Sequence, residues 1–89
     1  MNDLTVVVPV HNEDPEVVTK TYLDLISLGV KVIVVDDGHT MDLSFPYIGY
    51  PAHMGYGYAL KQGIKAATTP IVCTMDGDGQ HDAHDVAKL

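Results

Sequence analysis

Asp76 and Asp78 stand two residues apart across Gly77, with Gln80 and His81 following, in the stretch DGDGQH. Two carboxylates at that spacing, in a loop that glycine can bend, are hard oxygen ligands suited to Mg²⁺ or Mn²⁺ shared with phosphate oxygens. Gln80 and His81 can complete or support such a shell. The same stretch is also an ordinary turn sequence, because Asp and Gly both favour turns. A calcium loop of the EF-hand kind is excluded, since that pattern requires Gly at His81 and a bidentate acid at Ala87. Two further polar clusters carry related chemistry. His11, Asn12 and Glu13 stand together, and Asp36 and Asp37 form an acid pair ahead of Gly38. That pair can turn the chain or accept hydrogen bonds from a base or ribose.

The elements around these clusters give them a common location. Leu4 to Val10 is a continuous apolar run, as expected of a strand buried on both faces. Asp14 and Pro15 then predict a helix from Pro15 to Leu28, closed by Gly29, with Val18, Tyr22, Leu25 and Ile26 on one face. Lys31 to Val35 reads as a second buried strand, and the proline-containing stretch from His39 to Pro51 as irregular, with one short strand near Tyr47. Gly55 and Gly57 open a second helix in which Tyr56, Leu60, Ile64 and Ala67 share a face, ahead of Pro70. Ile71 to Met75 is the next strand, and Asp82 caps a third helix starting at Ala83.

Strands alternating with helices imply an α/β fold with a three-layer, Rossmann-like parallel sheet. Ligands of such sheets bind beyond the carboxyl ends of the strands. His11–Glu13, Asp36–Asp37 and Asp76–Asp78 each follow a strand, so all three clusters fall at that one edge. Acids gathered there repel each other, and with no arginine in the chain a divalent cation is the favoured remedy. The backbone N–H groups at Gly55 and Gly57 begin a helix, a place that attracts anions or a close-approaching nucleoside. As a dinucleotide fingerprint the segment is weak, because Leu60 stands where Gly or Ala belongs. Cys73 lies inside a strand and reads as a small core residue.

Composition narrows the classes further. Twelve acidic residues against five lysines give a net charge of −7, which disfavours nucleic acid and anionic membrane surfaces as partners. With 46% hydrophobic residues the chain is globular. At 89 residues it forms one small domain that buries roughly 60–65% of its unfolded surface. One cysteine rules out an intrachain disulfide, and no run has the length of a membrane span or the layout of a signal peptide, so a cytoplasmic location is expected.

Taken in order, VVVPVHNE, VVDDG, HMGYGYALKQGIKAA and TMDGDGQH resemble family 2 glycosyltransferases of the GT-A fold, especially dolichol-phosphate mannosyltransferase-like members, across nearly the whole chain. The resemblance implies a nucleotide-sugar donor site in which Pro9, His11 and Glu13 border the nucleoside and Asp37 bonds its base or ribose. Asp36 would shape the turn. Gly55 and Gly57 would approach the nucleotide, and Asp76, Asp78 and Gln80 would hold Mg²⁺ or Mn²⁺ with the sugar diphosphate. The donor would be GDP-mannose or a UDP-sugar, and the acceptor, by the same analogy, a polyprenyl phosphate. His11, His39, His53 and Tyr56 depart from the pattern's commoner Tyr, Ser, Asn and Lys, which leaves the base open.

The resemblance further implies that residues 1–89 are the donor-binding half, with the acceptor site and general base beyond Leu89. A homo-oligomer would shield the exposed sheet edge. Two other functions compete: a non-catalytic nucleotide and metal-binding module, and, more remotely, a receiver-like phospho-acceptor domain with Asp36, Asp37 and Asp76 as its acidic pocket.

Overall fold

The computed structural model describes residues 3–39 and 41–75. Within them four strands and two helices follow in the order β1 (Leu4–Val10), α1 (Pro15–Ser27), β2 (Lys31–Asp36), β3 (Ile48–Gly49), α2 (Tyr56–Ala66) and β4 (Ile71–Thr74). The third helix expected from Ala83 lies outside the described residues. The strands form one parallel sheet of order β3-β2-β1-β4. This is the α/β class expected from the alternation of elements.

The run LTVVVPV makes β1 the central strand, and every residue of it is buried. It pairs with β2 from Thr5 opposite Lys31 to Val10 opposite Asp36, and with β4 from Leu4 opposite Ile71 to Val7 opposite Thr74. Alternation along the strands divides the core in two. Val6, Val8, Val10 and Val34 pack with Val18 and Leu25 of α1, while Val7, Val35 and Ile33 pack with Ala59 and Leu60 of α2. One helix therefore covers each face, in three layers. The strand order reverses between β1 and β4, the place where ligands enter open sheets of this kind.

Local sequence sets the limits of α1. Asp14 accepts a hydrogen bond from the Glu16 amide at 2.9 Å, Pro15 occupies the first helical position, and Gly29 takes φ +81° just past the end. A side-chain cap of this type stabilises a helix by about 1 kcal/mol. Val18 and Leu25 are buried as the periodicity predicts, but Ile26 is 42% exposed, and Thr21 takes its place on the inner face.

The inner face of α2 differs more from expectation. Tyr56 and Ile64, expected inside, are 56% and 50% exposed, and the buried residues are Ala59 and Gly63. The cause is close approach. A Cβ built on Gly63 would fall 2.3 Å from Cγ1 of Val7, so the helix axis sits too near β1 for a large side chain to fit between them. Small residues make the closest contact, Leu60 packs beside them, and Tyr56 and Ile64 turn outward.

This approach separates two substitutions in the same helix. Gly63→Ala is expected to destabilise the chain by about 1–2 kcal/mol, because crowding a buried, stiff valine outweighs the gain in helix propensity. Gly57→Ala, with no atom within 4 Å of the added Cβ, is expected to be neutral or to stabilise by up to about 1 kcal/mol. Urea midpoints of the two variants against the parent chain test the pair; a stabilised Gly63→Ala would disprove the close approach.

Candidate functional site

At the carboxyl end of β1 the chain continues into His11, Asn12 and Glu13, with Asn12 in a left-handed conformation at φ 55°. At the end of β2, Asp36 and Asp37 turn to opposite sides. Asp36 keeps the strand's alternation and points to the α1 face, where it is fully buried and its Oδ2 accepts from the Met41 amide at 2.9 Å. The His39 amide also donates to the Asp36 carbonyl. Asp36 thus braces the turn that runs through Gly38 and His39, both at positive φ.

Asp37 is 3% exposed and is bonded through each of its polar groups. Its amide donates to the Val10 carbonyl at 2.9 Å, and its own carbonyl accepts from Nδ1 of His11. A carbonyl only accepts, so His11 carries its proton on Nδ1. The carboxylate takes the Met54 amide at 2.8 Å on Oδ1 and the Gly55 amide at 2.9 Å on Oδ2. Nδ1 of His53 lies 2.7 Å from the same Oδ2.

Those bonds decide the protonation state. Burial alone would raise the Asp37 pKa, but the Met54 amide, the Tyr50 hydroxyl, the Gly55 amide and the His53 charge together hold its carboxyl below the usual carboxylate value. The Tyr50 hydroxyl is buried and faces this carboxylate, yet closes no hydrogen bond of good geometry among the described residues. Burial first, and then the neighbouring Asp37, raise its phenol pKa above the ordinary value.

The structure thus brings His11, Asp37 and Gly55 together, as expected of residues at one edge. Pro9 is buried in β1 opposite Val35, Glu13 is half-buried before α1, and Gly57 is exposed in the first turn of α2. The Gly55 N–H, expected to be open to a ligand anion, is taken by Asp37. Asp76, Asp78 and Gln80 lie outside the described residues. Met75, just before them, donates its amide to the Val7 carbonyl at 3.0 Å, continuing the β1–β4 pairing.

Sequence reasoning missed two members, His53 and Tyr50. The donor atoms of His11, Asp37 and His53 lie within 4.8 Å of one another, and the two imidazole rings are 4.0 Å apart between centroids. A histidine two residues before a helix-opening glycine, in a stretch returning to the edge of the acid pair, is the signal that was available.

An α/β sheet with one helix on each face and its polar loops gathered at the carboxyl edge is a Rossmann-like architecture, in which ligands enter at that edge. Residues 5–89 match the family described as Glycosyl transferase family 2, and the chain belongs to it. It is 38% identical over 92 residues to uncharacterised glycosyltransferases of Mycobacterium bovis and Mycobacterium tuberculosis, covering 97% of this chain and 41% of theirs. It is 34% identical over 99 residues to an uncharacterised protein of Methanocaldococcus jannaschii, covering 99% of this chain and 40% of that one. The chain spans about two fifths of the length of these relatives. Among the described residues no helix is long and apolar enough to cross a membrane.

The Asp37 geometry predicts a pH-dependent stability. A carboxyl held below its unfolded value contributes stability that is fully present above the unfolded pKa of about 3.9 and is lost as pH falls through the folded pKa. Asp37→Asn leaves one backbone donor facing an amide NH₂ and is expected to cost about 2–3 kcal/mol at pH 7. The gap from the parent should narrow towards pH 3. Urea unfolding of both proteins at the two pH values checks this, and a constant gap would mean that Asp37 is not held ionised.

Proposed function

We propose that this chain forms the nucleotide-sugar-binding part of a glycosyltransferase. The observation that carries the reading is the convergence of His11, Asp37 and Gly55 at the carboxyl edge of the sheet in a family 2 chain. Pro9, His11 and Glu13 border the nucleoside. Asp37 holds its base or ribose: a base N–H or a ribose hydroxyl is the same kind of donor as the His53 ring N–H, and takes that place on Oδ2 when His53 swings away. Asp36 keeps the turn in shape, and Gly57 leaves the first turn of α2 open to close approach.

Asp76, Asp78 and Gln80 form an all-oxygen donor set if Gln80 offers its carbonyl, which fits Mg²⁺ or Mn²⁺ better than a softer ion. Such an ion, when bound, stabilises the charge developing on the leaving diphosphate. The transfer also needs a carboxylate to deprotonate the acceptor hydroxyl. Asp36 and Asp37 are buried and committed to backbone amides, so neither is assigned that role. GDP-mannose or a UDP-sugar is the proposed donor and a polyprenyl phosphate the proposed acceptor.

Calorimetric titration with GDP, UDP, GDP-mannose and UDP-glucose, with and without Mn²⁺, tests the reading. One nucleotide should bind more tightly with metal, and Asp76→Ala and Asp78→Ala should each remove the metal-dependent part. Asp37→Ala should weaken binding with and without metal. Absence of binding to all four ligands would sink the proposal, and an Asp37 effect seen only with metal would reassign that residue to the diphosphate.

A further inference from the structure

His11, Asp37 and His53 come from three separate segments, and their donor atoms gather within 4.8 Å of one another. We propose that they form a site for a borderline divalent transition metal of the Zn²⁺ class, and that the bound ion clamps the loop before α2 onto the ends of β1 and β2. This site is separate from the hard cation assigned to Asp76 and Asp78, and it does not depend on the donor reading.

The donor set argues for that class of ion. Two imidazoles and one carboxylate suit Zn²⁺ and its neighbours, whereas Mg²⁺ and Ca²⁺ favour oxygen alone. Each ligand is also oriented from behind. His11 donates its Nδ1 proton to the Asp37 carbonyl, which leaves Nε2 as the lone-pair nitrogen, and a backbone carbonyl behind a histidine is a common partner in metal sites. The Asp37 carboxylate is fixed by the Met54 and Gly55 amides, and each oxygen retains a second lone pair. His53 offers Nδ1, 2.7 Å from Oδ2, once its ring proton moves to Nε2.

Distances and charge agree with this. Ligand atoms about 2.0–2.2 Å from a tetrahedral ion lie roughly 3.3 Å from each other. The three ligand atoms lie within 4.8 Å of one another, and the two histidines are exposed. Their rings lie 4.0 Å apart between centroids, so both imidazoles face one small region beside the Asp37 carboxylate. Asp37 is buried, so its charge gains more from a partner than a solvated surface acid would. Three protein ligands leave a fourth position for water or a ligand atom.

The test is titration of the complete chain, free of any tag and of nucleotide, with Zn²⁺ against a chromophoric chelator, and with Co²⁺ read by its visible absorption. One tight site with a tetrahedral Co²⁺ spectrum is expected. His11→Ala and His53→Ala, both at exposed positions and checked for folding by circular dichroism, should each weaken it by about tenfold or more. His39→Ala and His84→Ala should each leave it unchanged. Failure to bind Zn²⁺, or affinity unchanged from the parent chain in both His11→Ala and His53→Ala, would overturn the site and leave His53 as a hydrogen-bond partner of Asp37. Because no nucleotide is present, neither result bears on the donor site.

Discussion

A buried carboxylate needs hydrogen-bond donors, and the way Asp37 obtains them organises the whole carboxyl edge. Leaving such a charge unpaired costs several kcal/mol. Here the donors are backbone amides at the start of α2, where the helix dipole already favours an anion. The dependence is mutual. Gly55, at φ +98°, caps α2 without any side chain of its own, so the anion at that helix end is supplied from β2. A local Ser or Asp cap would have satisfied the helix and left its position free; a remote one fixes it to the sheet. The main chain of Asp37 adds the third tie, to Val10 and His11 at the end of β1.

A second constraint holds α2 further along. Gly63 lets the helix lie directly on Val7, and Val7 belongs to the fully buried central strand. Held at its start by Asp37 and in its middle by Gly63, the helix has little freedom to slide or rotate. The loop before it must therefore cross the ends of β2 and β1. That crossing carries Tyr50 and His53 to the site.

Much of this was legible in the sequence where burial is simple. LTVVVPV gives β1 to the residue, because a strand covered on both faces must be apolar throughout, and Asp14-Pro15 and Gly29 delimit α1 because caps are local chemistry. The inner face of α2 was not legible. Periodicity weights large apolar residues, and Tyr56 and Ile64 drew the face their way, whereas contact at short range selects Ala59 and Gly63 for being small. The edge location of Asp36 and Asp37 followed from strand ends alone. The partners of Asp37 did not follow, since they depend on how the chain returns from β3, a two-residue strand with little signal of its own.

The charge balance of the edge gives the site its character. The chain carries −7 overall, yet Asp36 and Asp37, the two acids nearest the core, are both neutralised by backbone amides rather than by lysines. Backbone donors are fixed in place and do not titrate, so they bind both carboxylates, and help hold that of Asp37 ionised, without filling the space in front of them. Among the described residues, exposed imidazoles reach that space from His11 and His53, and an imidazole switches between donor and acceptor by moving one proton. An edge built this way presents its negative charge behind adaptable donors, an arrangement that accommodates a nucleoside N–H or a cation in turn, where an arginine would admit neither.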